Sequence, residues 1–433
     1  MDAPIFRNSR ANLFGFALGI LLPLIGASGS AVAAPTVYPV GLTVSEPERI
    51  WPGYVIYTAS QAKKVLMLDQ DGNEVHEWMN PRNPEWAIAE NPKPLKNGNI
   101  LVQIRQEDGP EGEKRKGVAE LDWNSRIVWE FFDPDFTFIH HDFHRKPNGN
   151  TIILGSRYIT RQEIAPYEIK DDVLIEVDES GKVIWRWSTA DHFDQLGLSE
   201  EGKSDIYNDS YPSRNTAADI FHTNSVQALP ANPLESSDPR FAKGNLLVSQ
   251  RTTNKVFVID RKTGDIVWLI DHRERFKNGQ MPIGQHHVTM IPERDISGKK
   301  LPGWGRILMF DNGGHGGYPR RYRFASRVLE IDALDNEIDW VYDATMSQQF
   351  VRDFFSMFKS SAQRLPNNNT LISESSSGRI FEVTAKGKIV WEYINPYFKA
   401  KNKGPRPGGL QNHIYRAYKV GEGWPEKARN AAR

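Results

Sequence analysis

Seven of the eleven histidines lie in five short segments, four of which lead into a proline-containing turn. Counting six residues back from each proline selects an imidazole, an amide or a hydroxyl side chain every time. Such groups can act as nucleophiles or as general acids and bases. The segments are IHHDFHRKP with His140 and His141, FHTNSVQALP with His222 and Asn224, GQHHVTMIP with His286 and His287, FKSSAQRLP with Ser360, and QNHIYRAY with His413.

Two further features add positive charge near these segments. Arg251 ends the strand-like stretch GNLLVSQR, which should pair with the His222 segment and could hold an anion. The loop FDNGGHGGYPRRYRF, residues 310–324, carries Asn312 and three arginines among Gly and Pro residues, which suits an anionic ligand. The alternatives are that Arg251 is an ordinary exposed arginine of a blade and that the loop is a solvated connection between strands.

Other roles for the histidines remain open at this point. Each could make a structural hydrogen bond between neighbouring strands. Three imidazoles could hold a divalent cation, but the only carboxylate in these segments is Asp142, which strand alternation should turn away from His141. We therefore predict neither a metal site nor a cofactor.

A repeated unit positions these segments. One strand–turn–strand pattern closing on tryptophan occurs six times, and most copies follow a second hairpin with an Asn-Gly-type turn. Two hairpins make four strands, which is one blade of a β-propeller, and the starts of the inner strands line a central channel. The six copies end at Trp78, Trp129, Trp185, Trp268, Trp340 and Trp391.

The predicted fold is all-β: a six-bladed β-propeller whose ring is closed by a C-terminal strand, His413–Val420, that completes the first blade. A β-sandwich or two separate domains would not need six copies of one unit. Insertions fall at about residues 188–220 and 293–305. The predicted domains are a signal peptide at 1–33, a lead-in at 34–52, the catalytic propeller at 53–420 and a polar tail at 421–433.

The N-terminus has the layout of a secretory signal peptide. Arg7 and Arg10 precede the apolar run Leu13–Ile25 and then small residues, which predicts cleavage after Ala33. The run is shorter than the roughly 20 residues that a spanning helix needs, although an uncleaved anchor is the alternative. A periplasmic or secreted protein, free of the membrane after cleavage, is expected.

Composition excludes several classes of function. The 54 basic and 54 acidic residues give a formal charge of zero, so no nucleic-acid partner is expected. The absence of cysteine excludes thiolate metal sites and cysteine nucleophiles.

The ordered motifs HHDFH, FHTNS, SQR, GQHH and FDNG resemble the bacterial arylsulfate sulfotransferases, six-bladed propellers that work without the nucleotide sulfate donor PAPS. The resemblance implies a small-molecule aryl sulfate donor, a phenolic acceptor and a sulfohistidine intermediate. It implies His286 as nucleophile, with His287 as the neighbouring candidate. It further implies that His222, Asn224 and Arg251 hold the sulfuryl oxygens, that His141 or His140 is a further channel histidine, and that Ser360 and Asn312 contact substrate.

Two other functions are alternatives to sulfuryl transfer. A propeller that only binds a sulfated or aromatic ligand would show saturable binding without turnover. A quinone-cofactor propeller is disfavoured because such enzymes usually have eight blades and need no histidine cluster. Relatives in the resembling family pair through an extra N-terminal domain, which the roughly 18 residues of this lead-in cannot form, so no oligomeric state is predicted.

Overall fold

Six antiparallel sheets contain most of the strands in the part of the chain that the computed structural model describes. Those residues are 39–59, 62–86, 88–106, 115–133, 135–136, 138–208, 218–270, 276, 281–400 and 410–433. The six-bladed β-propeller predicted from the repeats is confirmed. The predicted signal peptide at 1–33 lies outside the described residues.

The strands follow one another in chain order through the blades, and α1 lies between the third and fourth. They are β1 (Gly41–Ser45), β2 (Tyr54–Ala59), β3 (Lys64–Leu68), β4 (Glu74–Trp78), β5 (Ala89–Pro94), β6 (Ile100–Gln106), β7 (Arg115–Leu121), β8 (Ile127–Phe131), β9 (Phe138–Arg145), β10 (Thr151–Thr160), β11 (Glu168–Val177), β12 (Val183–Ser188), α1 (Glu200–Asn208), β13 (Thr223–Ala228), β14 (Leu246–Gln250), β15 (Lys255–Ile259), β16 (Ile266–Ile270), β17 (His286–Met290), β18 (Ile307–Asp311), β19 (His315–Gly316), β20 (Arg321–Tyr322), β21 (Arg327–Asp332), β22 (Glu337–Tyr342), β23 (Ser361–Arg364), β24 (Thr370–Glu374), β25 (Arg379–Val383), β26 (Ile389–Ile394), β27 (Lys399–Ala400), β28 (Leu410–Gln411), β29 (Ile414–Val420) and α2 (Trp424–Ala431).

The innermost strands of neighbouring blades contact one another around the channel, in the order β29, β5, β9, β13, β17 and β23. Both ends of the described chain meet at one seam. Strand β29 pairs with β2, so that it forms a sheet with β2, β3 and β4. Strand β1 pairs with β26 and adds a fifth strand to the last blade. The first and last blades therefore each contain a strand from the opposite end of the described chain.

The recurring tryptophan links each blade to the next. Its indole N–H donates to a backbone carbonyl in a turn of the following blade, which satisfies the polar end of a ring whose body packs between sheets. In the third repeat Trp187, and not the predicted Trp185, fills this role. The six bonds are Trp78 to Asp122 (3.0 Å), Trp129 to Glu179 (3.2 Å), Trp187 to Gly264 (2.8 Å), Trp268 to Ala333 (3.1 Å), Trp340 to Ala385 (2.9 Å) and Trp391 to Gln70 (2.8 Å).

The insertion at about residues 188–220 packs against the third and fourth blades, and we call its last described part, residues 218–220, the insertion wall. The insertion contains a 3₁₀ segment, Ala190–Leu196, and α1, and its last described part returns along the third blade where Ala218 bridges Ile169. Tyr167 from the third blade donates its hydroxyl hydrogen to the carbonyl of Ile206 in α1. None of the helices in the described ranges is long and apolar enough to cross a membrane.

Residues 421–433, expected to be a polar tail, contain helix α2. Trp424 is 3% exposed, donates from Nε1 to the carbonyl of Leu95 at 2.9 Å and lies edge-on to Trp78. Replacing Trp424 with alanine is expected to lower the free energy of unfolding by about 3–5 kcal/mol, since it removes a buried aromatic ring. Urea titration followed by circular dichroism measures the change. The exposed Asn430 of the same helix is the matched control, and an equally small effect of both substitutions would contradict a packed helix.

Candidate active site

A pocket of about 230 Å³ opens beside the start of β13, between the insertion wall and the β19–β20 hairpin. Its described lining contains two arginines and two histidines against a single carboxylate, which suits an anionic ligand. Residues that line it include Tyr167, Asp219, His222, Arg251, His315 and Arg320.

Four inner-strand residues near this face have left-handed backbone conformations. They are His141 (φ 59°), His222 (φ 55°), His287 (φ 47°) and Ser360 (φ 80°). In three blades the pairing register shifts nearby, so the inner strand bulges where it meets the site. A non-glycine residue in this region costs about 1–3 kcal/mol, and such strain is concentrated at functional sites. The bulges also break the strict alternation of side chains along a strand.

His286 at the start of β17 is 1% exposed and held at one ring nitrogen. Its Nδ1 lies 2.8 Å from Oδ1 of Asn312 and 3.0 Å from the carbonyl of Gly284. Asn312 donates from Nδ2 to the carbonyl of Ser356 at 2.8 Å, which leaves its Oδ1 as the acceptor for His286. A neutral His286 therefore carries its hydrogen on Nδ1 and a lone pair on Nε2. Burial and then the charges of Arg251 and His222 hold the pKa of His286 well below its usual range.

His222 has a carboxylate partner that the sequence analysis did not identify. Nδ1 of His222 lies 2.5 Å from Oδ2 of Asp219, and Lys170 lies 3.6 Å from Oδ1 of the same carboxylate. Burial would raise the pKa of Asp219, but the charges of His222 and Lys170 hold it well below its usual range. This ionised carboxylate places the hydrogen of a neutral His222 on Nδ1 and leaves Nε2 as the free nitrogen.

Arg251 lies next to His222, as the pairing of β13 and β14 predicted. Its backbone N–H donates to the carbonyl of His222 at 3.0 Å, and its Nη2 lies 3.4 Å from Nε2 of His315. Nε of Arg251 is buried and has no hydrogen-bond partner among the described residues. The guanidinium therefore retains donor capacity for an anion in the pocket.

His140 and His141 are in direct contact, although neighbouring residues of a regular strand face opposite ways. Their Nδ1 atoms are 2.6 Å apart, and Nε2 of His140 lies 3.1 Å from Oδ1 of Asp172 in β11. The ring of His141 also lies edge-on to that of His222, with centroids 4.8 Å apart. The left-handed backbone at His141 makes this contact possible.

Asn224 is fully buried on β13 and is anchored from two directions. Its side-chain Nδ2 donates a hydrogen bond to the backbone carbonyl of Gln285 at 2.7 Å. Its backbone carbonyl accepts a hydrogen bond from Nη2 of Arg416, also at 2.7 Å. Arg416 on β29 also forms an ion pair with Asp142, 3.1 Å long, and Lys93 forms another with the same carboxylate, 2.6 Å long. Asp142 thus joins a buried cluster of charges that the sequence analysis did not anticipate.

His287 and Ser360 have different surroundings from the pocket residues. Nδ1 of His287 accepts a hydrogen bond from the backbone N–H of Ala362 at 3.4 Å, and its ring lies edge-on to Tyr418. The hydroxyl oxygen of Ser360 accepts from the backbone N–H of Ser375 at 3.0 Å. Of the site residues predicted from the sequence, only His222 and Arg251 line the pocket, and the others lie behind its lining. Both adjacent histidines, 286 and 287, are buried.

The loop at 310–324 divides into structural and pocket-lining parts. Arg323 and Arg327 both pair with the buried carboxylate of Asp311, at 3.0 and 2.8 Å, so they brace the loop. Arg320 and His315 line the pocket. Among the residues that the structure describes, no group of three His, Cys, Asp or Glu side chains has the arrangement of a metal site.

Comparisons with known proteins complete the description. A family model described as Arylsulfotransferase (ASST) matches residues 91–396. A protein of unknown function from Bacteroides caccae is 13% identical, with a TM-score of 0.50 over 85% of this chain and 99% of that one. A streptogramin B lyase is 14% identical, with a TM-score of 0.40 over 90% and 96% of the two chains. The first similarity concerns the fold alone, and the second supports no argument. No curated protein matches this sequence significantly.

Proposed function

The chain belongs to the arylsulfotransferase family, and on that premise we propose that it moves a sulfuryl group from an aryl sulfate to a phenol through a sulfated His286. The family model matches 306 of the 433 residues, 91–396, and spans every site residue proposed from the sequence. The identities of the donor as an aryl sulfate, of the acceptor as a phenol and of the intermediate as sulfated His286 are all part of what we propose.

The hydrogen bonding of His286 is the observation that carries it. With Nδ1 engaged by Asn312 and Gly284, Nε2 is the nitrogen that can attack sulfur. The lowered pKa of His286, caused by burial and by Arg251, keeps the ring neutral near pH 7. Asn312 acts as a positioning residue, because it holds the tautomer without touching the reacting atoms.

Cationic and imidazole donors would stabilise the transferring group. Sulfuryl transfer resembles phosphoryl transfer, in which positioned charges act on a loose, in-line transition state. Arg251 and His222 line the pocket and would bind the sulfuryl oxygens, with Asn224 behind them. Each donor that acts as an oxyanion-hole group would lower the barrier by about 2.7–4 kcal/mol.

The test is to incubate the purified protein with 4-nitrophenyl sulfate, with and without phenol, and to follow nitrophenolate release and intact mass together. Phenol-dependent release with one added sulfuryl group per chain supports the proposal. Saturable binding without turnover would instead favour a propeller that only binds sulfated or aromatic ligands.

We also propose a periplasmic or secreted location, on the basis of the signal-peptide layout of residues 1–33. Fractionation of expressing cells, with N-terminal sequencing of the recovered protein, tests it. A cytosolic protein that retains its first 33 residues would contradict it.

A further inference from the structure

A chain of hydrogen bonds runs from a buried carboxylate to the pocket side of the third blade. Asp172 lies 3.1 Å from Nε2 of His140, and Nδ1 of His140 lies 2.6 Å from Nδ1 of His141. Asp172 and His140 are 1% and 3% exposed, and neither lines the pocket. The ring of His141 contacts the ring of His140 on one side and that of His222 on the other, with centroids 4.8 Å apart in both pairs.

Asp172 sets the direction of every bond in this chain. Its second oxygen, Oδ2, accepts the backbone N–H of Thr223 at 2.5 Å, and Oδ1 accepts from Nε2 of His140. Burial, followed by the charge of Lys170, lowers the pKa of His140 and keeps that ring neutral. A neutral imidazole with hydrogen on Nε2 has an acceptor at Nδ1. His141 must therefore donate from Nδ1, and its lone pair is on Nε2.

We propose that Asp172 and His140 are positioning residues that hold His141 as the proton-transfer group for the phenolic oxygen in both halves of the reaction. This inference rests on the proposed function and adds to it the source of the proton. Asp172 and His140 touch neither donor nor acceptor. They act by keeping Nε2 of His141 free and by stabilising the protonated ring.

The charges around His141 explain why it needs this support. The side chains that affect its charge are, in order of size, His222, the adjacent His140, Lys170 from β11 and His286 from the fifth blade. Burial and these groups hold the pKa of His141 well below its usual range, so an unsupported imidazolium would be unfavourable there. The nearby Asp219 is already engaged by His222 and Lys170. Asp172, reached through His140, is the carboxylate whose hydrogen bonds lead to His141.

The proton balances over the two half-reactions. Because its lowered pKa leaves His141 neutral, it first takes up a proton from solvent as the anionic donor binds beside it. In the first half-reaction, Nε2 of His286 forms a bond to sulfur, the bond from sulfur to the aryl oxygen breaks, and the protonated His141 gives its Nε2 proton to that oxygen. In the second, the acceptor oxygen forms a bond to sulfur and the bond from sulfur to His286 breaks, with the electron pair returning to nitrogen. The acceptor's proton moves to Nε2 of His141, which restores its protonated form.

Asp172→Asn is the decisive variant because its amide can keep the bond to Thr223 while presenting an N–H₂ group to His140. His140 must then accept at Nε2 and carry its hydrogen on Nδ1, facing Nδ1 of His141. The protonated form of His141, which carries hydrogens on both nitrogens, then loses its acceptor and is disfavoured. We expect formation of sulfated enzyme from phenyl sulfate, whose leaving group needs protonation, to slow by about 10²-fold or more. Formation from 4-nitrophenyl sulfate, whose leaving group needs little help, should fall by less than about tenfold.

Asp171→Asn is the matched control. Asp171 is the neighbouring buried carboxylate of β11, but it accepts from Ser188 at 2.8 Å, from the backbone N–H of Ala190 at 3.0 Å and from Arg157 at 3.1 Å. Among the described residues, none of its hydrogen bonds leads to a histidine. It should leave the ratio of the two rates unchanged. Equal losses on both donors in Asp172→Asn, or no loss, would overturn the proposal. Absence of a sulfuryl adduct on the unmodified protein with either donor would instead refute the proposed function.

A second pair of variants covers the case in which Asp172→Asn does not fold. Glutamine at position 140 can donate to Asp172 and accept from His141, whereas leucine can do neither. His140→Gln is expected to preserve the rate with phenyl sulfate far better than His140→Leu, with thermal unfolding as the check on folding. The same rate in both variants would overturn the proposal.

Discussion

Replacing His286 with alanine is expected to lower kcat for transfer from 4-nitrophenyl sulfate to phenol by at least about 10⁴-fold, because it removes the proposed nucleophile of the first half-reaction, which is also the leaving group of the second. Arg251 and His222 remain in the pocket, so donor binding should change far less than turnover. Steady-state kinetics give the first quantity, and competition by a non-reactive aryl sulfonate gives the second. Intact mass spectrometry should show no sulfuryl adduct.

His287→Gln is the matched control, since it changes the adjacent histidine of the same strand. His287 bonds to Ala362 and lies against Tyr418, away from the pocket lining, so this variant should keep most of its transfer activity. Wild-type turnover by His286→Ala, or an adduct on another residue, would place the nucleophile elsewhere.

Replacing Asp142 with asparagine is expected to lower the free energy of unfolding by about 3–5 kcal/mol, because Lys93 and Arg416 would lose their shared carboxylate in the interior. Asp142 also accepts the backbone N–H of Val226 at 3.0 Å, so it joins the inner strands of four blades. Urea titration measures the change. The exposed Asp71 provides the control, where a change within about 0.5 kcal/mol is expected.

The pH dependence of stability gives a second measurement on Asp142. Burial would raise the pKa of Asp142, but Arg416 and Lys93 hold it well below its usual range. Its contribution is therefore fully present above the unfolded pKa of about 4 and is lost as the pH falls toward the lower folded pKa. The difference between wild type and Asp142→Asn should shrink below about pH 4. A difference that does not change with pH would contradict this account.

Periodicity in the sequence was sufficient to predict the blades, because each copy repeats the same alternation and closes on a tryptophan. Periodicity selected the wrong tryptophan in the third repeat, where two occur two residues apart. Trp185 lies under the guanidinium of Arg261, and Trp187 makes the hydrogen bond to the next blade. A two-residue difference keeps the same face of a strand, so alternation alone could not distinguish them.

Candidate site residues were predicted from spacing, but their partners were not. Asp219 stands three residues before His222, which was a usable signal. Asp172 is 32 positions from His140 and Arg416 is 192 from Asn224, so only the closed ring brings them together. The contact between His140 and His141 depends on a left-handed residue within a strand, and regular alternation excludes it.

The position of β29 makes the order of synthesis matter. A ribosome produces His222 and His286 long before Arg416, yet Arg416 holds the backbone of Asn224, and Tyr415 lies beside His141. A chain stopped shortly before β29 would contain every pocket residue and still leave an open seam between its first and last blades. Assembly of the pocket therefore waits for nearly the last part of the chain, as expected where contacts are far apart in sequence. Incomplete copies of the chain would therefore lack an assembled pocket.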